Sequence, residues 1–463
     1  MEKDNPSHKM NRRRFMKLLG AGAAGAALAS MFSGCGPRSD SSREKEAPLG
    51  QMTYRADPKN GNMLSLLAFG MMRLPRVARV RGEELPDVND LDQKAVNDLV
   101  DLAIASGVNL FDTSPVYCKG FSEKATGEAL SRYPRDKFFI STKLSNSRPE
   151  EAKKRDESLK IYRRSFESLR VDYIDYYLLH NVGSHKAFKE RYLDNGMFNF
   201  LLKEKEAGRI KNLGWSFHGD IEFFEYMAGF HPWDFTLTQI NYLEWGRTIG
   251  PANVDSRRLY EMLSKRNIPV WVMEPLLGGG LATPHYKARE LMTSADPNAS
   301  AASWAFRFAA SLPNVTTVLS GMMFLDHMRD NIRTYSPFTP LTNEDRAMLE
   351  EVAQVALKYR NIVCTRCQYC MPCPYGINIP EIFAHYNRTM NVGNFPDDKQ
   401  SPDYKRARRT YLVELDRSVS TLRQADRCTN CGLCKPLCTQ RINIPKEMQR
   451  IDKFVEELKR EAI

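Results

Sequence analysis

The sequence predicts an α/β protein: a (β/α)8 TIM barrel followed by a small, mainly α domain. Strand-like and helix-like segments alternate eight times over residues 64–340, which matches such a barrel in repeat number and length. Eight of the ten cysteines lie beyond residue 360 and indicate a separate domain there. A chain of 463 residues is long enough for both domains and an N-terminal extension.

Eight short apolar runs are the predicted barrel strands. They are SLLAFG (65–70), VNLF (108–111), FFIST (138–142), YIDYYLL (173–179), NLGWS (212–216), TLTQI (236–240), PVWVM (269–273) and TTVLS (316–320). Between them, apolar residues recur at helical spacing, as in Val96, Leu99, Val100, Ala103 and Ile104, and in Leu159, Tyr162, Phe166 and Leu169. Gly107 is expected to close the first of these helices. An open, doubly wound sheet is the alternative, but no G-x-G-x-x-G follows the first strand.

Residues 1–35 are typical of an export signal. A basic segment is followed by the apolar run 18–32, which is shorter than the roughly 20 residues that cross a bilayer. Arg12 and Arg13, followed by Phe15, resemble a twin-arginine signal, and an ordinary secretory signal is the alternative. Small residues before Cys35 resemble a lipoprotein box, although Phe32 stands where Leu is usual. Residues 36–50 are polar and predict a flexible tether.

The net charge of +11 does not indicate a nucleic-acid-binding protein. Residues 1–35 alone hold six basic side chains against two acidic ones. The other basic residues form no stripe with interleaved aromatics, so we interpret them as a solvated surface. The export signal predicts that the protein is periplasmic, or attached to the membrane only through a lipid on Cys35.

Two cysteine runs lie in the C-terminal part of the sequence, CTRCQYCMPC (364–373) and CTNCGLCKPLC (428–438). They contain Cys364, Cys367, Cys370, Cys373, Cys428, Cys431, Cys434 and Cys438. Disulfides usually join distant segments, and zinc usually takes two separated pairs, so both fit poorly. The spacing C-x2-C-x2-C-x3-C is that of bacterial ferredoxins, in which the fourth cysteine ligates the other cluster. The runs therefore predict two [4Fe–4S] clusters in a ferredoxin-like domain.

The crossed ligand pattern assigns Cys364, Cys367, Cys370 and Cys438 to one cluster, and Cys428, Cys431, Cys434 and Cys373 to the other. The second run has the ferredoxin spacing, and the first is one residue shorter before its last cysteine. Both runs continue into a similar phrase, GINIP and RINIP, which indicates an internal repeat. A twin-arginine route carries folded proteins, so it is compatible with clusters assembled before export.

Active groups of a barrel lie at the C-terminal ends of its strands. Those ends carry Asp112, Lys143, His180, Ser216, Gln239, Met273 with Glu274 and Pro275, and Ser320, and Tyr117 follows Asp112 by five residues. A charge buried there needs a partner, so Asp112 and Lys143 are expected to pair. A nearby ammonium would lower the pKa of Tyr117 and make it a proton donor near neutral pH. A structural salt bridge beside a core histidine is the alternative.

These four residues, in FDTSPVY, STK and YYLLH, resemble the aldo-keto reductase superfamily over about 280 residues. SEKATGEAL, LRVDYIDYYLLH and AGRIKNLGWSFH add to the resemblance. It implies a tetrad of Asp112, Tyr117, Lys143 and His180. Tyr117 would give the proton, Lys143 held by Asp112 would tune it, and His180 would orient the carbonyl. Members with ferredoxin cysteines at the C-terminus are similar over residues 52–463.

The resemblance also implies NAD(P)(H). It places the nicotinamide at Ser216 and Gln239, the pyrophosphate over Leu276 to Gly280, including Gly278, and over Ser320 and Gly321, and the adenine at Asp330 and Asn331. Three features depart from the family. Phe217 replaces an Asn, and Met273 replaces the aromatic residue that stacks on nicotinamide. The usual basic residues for a 2′-phosphate are missing from SGMMFLDHMRDN (320–331), where His327 and Arg329 are the alternatives.

The predicted organisation is an export signal at 1–35, a tether at 36–50, the barrel at 51–345 and the iron–sulfur domain at 346–463. Three functions remain open. The barrel acts on a carbonyl or alcohol while the clusters relay electrons to an outside protein; or it works with NAD(P) while the clusters are structural; or the barrel is not catalytic and the protein transfers electrons or binds a partner.

Overall fold

The computed structural model describes residues 49–77, 90–147, 154–250, 254–359 and 361–461. The predicted export signal, with Arg12, Arg13 and Cys35, lies outside the described residues, as does the tether except for its last two residues. Residues 46–463 form one compact unit, so the barrel and the C-terminal domain are described together. None of the described helices is both long enough and apolar enough to span a bilayer.

Eight parallel strands close into a barrel, which confirms the predicted fold and excludes the open sheet. They are β3 (Leu67–Gly70), β4 (Leu110–Asp112), β5 (Phe139–Leu144), β6 (Ile174–Val182), β7 (Ile210–Phe217), β8 (Phe235–Gln239), β9 (Val270–Met273) and β10 (Val315–Ser320). Each pairs with the next, and β10 pairs with both β9 and β3. All eight contain residues of the predicted apolar runs, so the sequence located every strand of the barrel.

A hairpin precedes the barrel and was not predicted. Strands β1 (Tyr54–Ala56) and β2 (Met63–Ser65) pair antiparallel, with Arg55 opposite Leu64. The Leu64 side chain is fully buried in the cluster that fills the barrel, where it meets Tyr176 and Trp271. Each strand has three residues, which is too short for an alternating pattern to show in the sequence.

The barrel helices are α1 (Gln93–Ala105), α2 (Ser122–Leu130), α3 (Arg155–Leu169), α4 (His185–Phe188), α5 (Met197–Glu206), α6 (Ile221–Phe230), α7 (Ser256–Lys265), α8 (Tyr286–Ala295), α9 (Ala301–Ala310), α10 (Leu325–Tyr335) and α11 (Asn343–Leu357). The two helices predicted from periodicity are α1 and α3. The Asp92 side chain caps α1 by accepting from the amide of Ala95, a contact that stabilises a helix by about 1 kcal/mol. Gly107, with φ of 90°, follows the end of α1 as expected.

The C-terminal domain is mainly helical, as predicted, with α12 (Ile379–Asn391), α13 (Tyr404–Ser418) and α14 (Ile444–Arg460). The repeated INIP phrases begin α12 and α14, with Pro380 and Pro445 in the first turn, where a missing N–H costs nothing. A core separate from that of the barrel contains Ile379, Ile444 and other apolar residues of these helices. The repeat in the sequence is therefore a repeat of cysteine run and helix.

Candidate active site and cysteine cavities

The predicted tetrad lies at the C-terminal end of the barrel. Asp112 is the last residue of β4, Lys143 lies near the end of β5, and His180 lies near the end of β6. Tyr117 begins a short 3-10 turn in the loop after β4. Since parallel strands present these ends on one face, three neighbouring strands and one loop bring the four side chains together.

A buried ion pair fixes the base of the site. The Lys143 Nζ atom lies 2.7 and 2.6 Å from the two carboxylate oxygens of Asp112, and it also donates to the carbonyl of Thr113 at 2.8 Å. Ser141 donates a further hydrogen bond to Asp112. Burial lowers the pKa of Lys143, and Asp112 opposes that shift. Breaking such a pair would leave an uncompensated buried charge, so the pair holds Lys143 in one position.

Tyr117 stands next to this pair and to the histidine. Its ring centroid lies 4.9 Å from the Lys143 Nζ atom and 5.9 Å from the ring centroid of His180, with the two rings near perpendicular. The structure therefore brings together all four residues of the predicted tetrad. Their catalytic roles remain predictions.

The predicted direction of the Tyr117 pKa is wrong. Burial is the largest cause, and it raises the pKa of Tyr117 well above its usual value. The groups that add to the effect of burial are Tyr369, Asp112, Glu274 and Cys367. The phenol is thus protonated over the neutral range, which still suits a group that donates a proton to a developing alkoxide.

His180 is held as a neutral imidazole. Burial lowers its pKa well below the usual value, and the nearby Lys143, Arg191 and His218 act in the same direction. The Nδ1 atom is hydrogen-bonded to the hydroxyls of Ser145 and Ser114. The hydrogen bonds of Nδ1 leave the other ring nitrogen of His180 for the predicted contact with the substrate oxygen.

The residues predicted to hold nicotinamide already have partners within the chain. Ser216, at the end of β7, accepts a hydrogen bond from the amide of Asn181 at 2.8 Å. The side-chain amide of Gln239, at the end of β8, donates to the Glu244 carboxylate at 2.6 Å. Met273 ends β9 and is partly buried. These side chains line the same end of the barrel as the tetrad.

The residues predicted for the pyrophosphate lie against other parts of the chain. Gly278, in the turn that follows Leu276, has φ of 67°, and a Cβ atom there would lie 2.3 Å from the Cα atom of Thr365. Gly321 faces the side chain of Arg73, whose Cβ atom would be 3.4 Å from an added methyl group. Thr365 lies inside the first cysteine run.

The residues predicted for adenine are also engaged. Asn331 is buried and donates to the hydroxyl of Ser320 at 2.9 Å. Asp330 accepts a hydrogen bond from Ser300 at 2.7 Å and pairs with Arg333. Both residues stabilise α10 and its neighbours as the structure stands.

The eight C-terminal thiols surround two cavities. We call inner cavity the one lined by Cys364, Cys367, Cys370 and Cys438, and outer cavity the one lined by Cys373, Cys428, Cys431 and Cys434. The structure thus groups the thiols in the crossed way that the spacing predicts. Ile379 and Ile444 line both cavities and form their common wall.

Each cavity suits a four-iron cluster. Among the described residues, no three His, Cys, Asp or Glu side chains are arranged to hold one metal ion. Four thiols around an apolar space are the donor set that a [4Fe–4S] cluster takes. Burial raises the pKa of Cys364 and of Cys370 to about 12 in the protein alone, so metal is needed to keep these sulfurs as thiolates.

The inner cavity lies against the mouth of the barrel. The guanidinium of Arg73 donates to the carbonyl of Thr365, and the Gln440 side chain donates to the Glu274 carboxylate at 3.2 Å. Further contacts join Asn391 to the carbonyl of Thr283 at 2.8 Å and stack the rings of His285 and Tyr359 at 3.5 Å. The loops around the inner cavity therefore cover the C-terminal end of the barrel, which carries the tetrad.

Three residues at this junction were not predicted: Arg73, Tyr369 and Gln440. Glu274 directly follows β9 and was selected from the sequence as a strand-end residue, without a role assigned to it. Burial, followed by the charge of Glu244, raises the pKa of Glu274 to about 8. Arg73 lies three residues beyond β3, while Tyr369 and Gln440 lie within or beside the cysteine runs. The sequence carries no signal for contacts across these distances.

Comparison with known families assigns both parts of the chain. The sequence profile of the aldo/keto reductase family matches residues 66–354, and the profile of a 4Fe-4S dicluster domain matches residues 363–443. The two matches cover the barrel and the region of the two cavities.

Curated relatives share part of the barrel. The chain is 35% identical over 144 residues to D-arabinose 1-dehydrogenase of Saccharomyces cerevisiae, which is 29% of this chain and 39% of that protein. It is 31% identical over 129 residues to an aldo-keto reductase of Mycolicibacterium smegmatis, which is 27% of this chain and 41% of that protein. The chain thus spans about two fifths of the length of these relatives.

Among solved structures, the holo form of an aldo-keto reductase from Bacillus halodurans is similar, with a TM-score of 0.53 and 21% identity. The alignment covers 67% of this chain and 98% of that one. At this level of identity the similarity supports the fold of the barrel.

Proposed function

Because the chain belongs to the aldo/keto reductase family and carries a 4Fe-4S dicluster domain, we propose that it interconverts a small carbonyl compound and its alcohol and exchanges the electrons with an outside protein through two [4Fe–4S] clusters. The chain is an oxidoreductase by family; the substrate class, the relay and the partner are the proposed parts.

The reaction balances as one carbonyl, two electrons and two protons forming one alcohol. Tyr117 holds the proton that moves to or from the substrate oxygen. His180 positions that oxygen by a hydrogen bond, and the Lys143–Asp112 pair fixes the charge beside the phenol. The barrel residues thus handle the substrate and the oxygen-bound proton, and the second proton, which is taken from solvent, forms the C–H bond at the carbonyl carbon.

Two clusters, when bound, carry one electron each, which matches the two electrons of the reaction. Cys364, Cys367, Cys370 and Cys438 would hold the inner cluster, and Cys373, Cys428, Cys431 and Cys434 the outer one. The observation that carries the proposal is the position of the inner cavity on the mouth of the barrel. Cys367 and Tyr369 lie close enough to Tyr117 to affect its pKa.

A second candidate is an NAD(P)-dependent carbonyl reductase whose clusters are structural. Family membership favours it, and so does the name of the yeast relative, a dehydrogenase of D-arabinose. The third function, a barrel without catalysis, is disfavoured by the buried Lys143–Asp112 pair beside Tyr117 and His180. Retaining such a pair without use would only add the cost of burying charge.

We also propose that the protein is exported through the twin-arginine route and anchored by a lipid on Cys35. The proposal rests on the sequence of residues 1–35. A variant in which lysine replaces both Arg12 and Arg13 should remain in the cytoplasm as the full-length protein. Cell fractionation would show where the variant accumulates. Mass spectrometry of the mature protein should find a lipidated N-terminal cysteine, and an unmodified Cys35 would refute the anchor.

The central experiment uses the full chain purified anaerobically. About eight irons and eight sulfides per chain are expected. Turnover is measured on a panel of small aldehydes, ketones and sugars that includes D-arabinose, with a viologen dye as electron carrier. Tyr117→Phe should lower turnover by about 10²- to 10⁴-fold, because the proton donor is lost.

The matched control is Tyr226→Phe, which removes a hydroxyl from an exposed tyrosine on α6. It should leave turnover and iron content unchanged. Equal turnover in Tyr117→Phe and the native protein would contradict the assigned tetrad.

A further inference from the structure

We infer that the chain fills the path of a nicotinamide dinucleotide with its own residues, so that the inner cavity is the redox neighbour of the tetrad. The bridge between Arg73 and Thr365 is the element that fills the path. The inference rests on the proposed function and deepens it. It excludes the nicotinamide nucleotide as the electron carrier of the barrel and selects an iron–sulfur cluster in the inner cavity.

The path runs across two neighbouring loops. A dinucleotide predicted to lie over Leu276 to Gly280 and over Ser320 and Gly321 would cross from the end of β9 to the end of β10. These strands pair directly, with Val272 beside Val318. A pyrophosphate binds there only if glycine backbone is open to close approach.

Gly278 is not open. The Cα, C and O atoms of Thr365 lie within 2.7 Å of the place where a Cβ atom would stand. A phosphate oxygen needs at least as much room as a methyl group, so it cannot enter between Gly278 and Thr365. The next two residues, Gly279 and Gly280, meet nothing within 4 Å, so the contact is specific to Gly278.

Gly321 is covered from the other side. The Cβ, Cγ and Cδ atoms of Arg73 lie 3.4 to 3.6 Å from the position of an added Cβ atom. The same side chain continues to Thr365, whose carbonyl accepts from its guanidinium. Arg73 thus packs against Gly321 in the loop after β10. It also holds Thr365 in place, and Thr365 packs against Gly278 in the loop after β9.

The charges of the site also disfavour a dinucleotide. Glu244 and Glu274 both lie near the end of the barrel where nicotinamide would bind, and the charge of Glu244 is one cause of the raised pKa of Glu274. Arg73 is a cation beside this path, and Glu274, Cys364 and Cys367 act on its charge. A diphosphate bound nearby would be repelled by Glu244, and Arg73 is already engaged with the thiol loop.

Arg73 instead serves the inner cavity. A cation beside Cys364 and Cys367 stabilises the more negative, reduced form of a cluster held there. We assign Arg73 as a positioning residue, since it acts on the thiol loop and not on substrate. In the direction of alcohol oxidation, the O–H and C–H bonds of the substrate would break, the oxygen-bound proton would pass to Tyr117 and the carbon-bound hydrogen would leave as a proton to solvent. A cluster held by the inner thiols would take up the two electrons one at a time, and two molecules of a one-electron carrier protein would be reduced.

The first test measures nucleotide binding by the full-length protein with its clusters. NADPH and NADH are titrated separately under anaerobic conditions by calorimetry, with an NADPH-binding aldo-keto reductase as positive control. We expect no saturable binding up to millimolar nucleotide. Binding in the micromolar range, or nucleotide that copurifies with the chain, would overturn the inference.

The second test compares Arg73→Ala with Arg76→Ala. Arg76 lies in the same loop but pairs with Asp90, so it is a matched control. Arg73→Ala should shift the electron paramagnetic resonance signal of one cluster and lower its midpoint potential, while Arg76→Ala should change neither. An Arg73→Ala protein with both clusters unshifted would refute the assigned role.

The outcomes separate the inference from the proposed function. Tight NADPH binding together with lost turnover in Tyr117→Phe would overturn the filled path and leave the oxidoreductase function standing. Absent NADPH binding, a shifted cluster in Arg73→Ala and no viologen-dependent turnover on any carbonyl would overturn the proposed function and leave the filled path standing.

Discussion

The inner and outer cavities have the same number of thiols and a common wall, but their surroundings differ. Residues beside the inner thiols, Thr365 and Gln440, contact loops of the barrel. At the outer cavity Cys431 is exposed, and the nearby Leu433 and Leu437 side chains have exposed fractions of 61% and 50%. A repeated ligand pattern thus serves one site that faces the tetrad and another that faces solvent.

The two sites have equivalent ligands, and the difference in their surroundings comes from the residues between the cysteines. The repeat supplies cysteines and a helix to each half, and the residues between the cysteines set the environment. In the first run Thr365 and Tyr369 meet the barrel, whereas in the second run Leu433 and Leu437 stay exposed. The inner site is suited to exchange with substrate and the outer site to exchange with a partner.

The largest expected effect tests the crossed grouping on which the comparison depends. Cys438→Ser should remove the inner cluster, although Cys438 belongs to the second run, and iron should fall from about eight to about four per chain. Turnover with the viologen dye should fall at least about 100-fold, because the tetrad loses its electron neighbour. Iron and sulfide analysis with electron paramagnetic resonance checks both effects.

Cys373→Ser should remove the other cluster and leave the signal of the inner one. Cys118→Ser is the control, because that thiol lies outside both cavities and donates to the carbonyl of Met72. If Cys438→Ser and Cys431→Ser abolished the same signal, the crossed grouping would be wrong.

A smaller effect concerns the loss of metal. We expect an iron chelator under mild oxidation to empty the outer site several-fold faster than the inner site, because Cys431 is exposed and the inner thiols are more buried. The decay of the two resonance signals, identified from the serine variants, gives the two rates. Equal rates of metal loss from the two sites would show that packing against the barrel does not protect the inner site.

The smallest effect tests the packing between the inner loop and the barrel. Gly278→Ala places a methyl group against Thr365, whereas Gly279→Ala introduces the same kind of backbone strain with no neighbour within 4 Å. We expect Gly278→Ala to lower the free energy of unfolding by about 1–3 kcal/mol more than Gly279→Ala does. Denaturant unfolding under anaerobic conditions provides the comparison, and equal losses would argue against a close contact.

The sequence predicted those features that depend on local pattern or on spacing. Apolar runs located eight strands, and the positions of strand ends selected Asp112, Lys143 and His180. The cysteine spacing predicted a crossed grouping that the two cavities reproduce. Each of these signals lies within a short segment, so no knowledge of the folded chain is needed to see it.

Features that arise from contact between distant segments were not predicted. Arg73 and Thr365 are 292 residues apart, and nothing local to either residue indicates the other. The pKa of Tyr117 was predicted in the wrong direction, because the prediction rested on the ammonium of Lys143 and not on the burial of Tyr117. Burial at a junction between domains becomes visible only in the assembled structure.

The two cavities have a common wall of Ile379 and Ile444, and each cysteine run contributes one thiol to the cavity of the other run, Cys373 and Cys438. The two halves of the domain therefore depend on each other. A half that received its cluster alone would have only three of its own sulfurs and would need the fourth from a half that is not yet folded. Each half therefore needs one sulfur of the other half to complete the ligand set of its own cluster. The residues between the cysteines can vary freely, but neither cysteine run could hold a four-iron cluster if it stood alone.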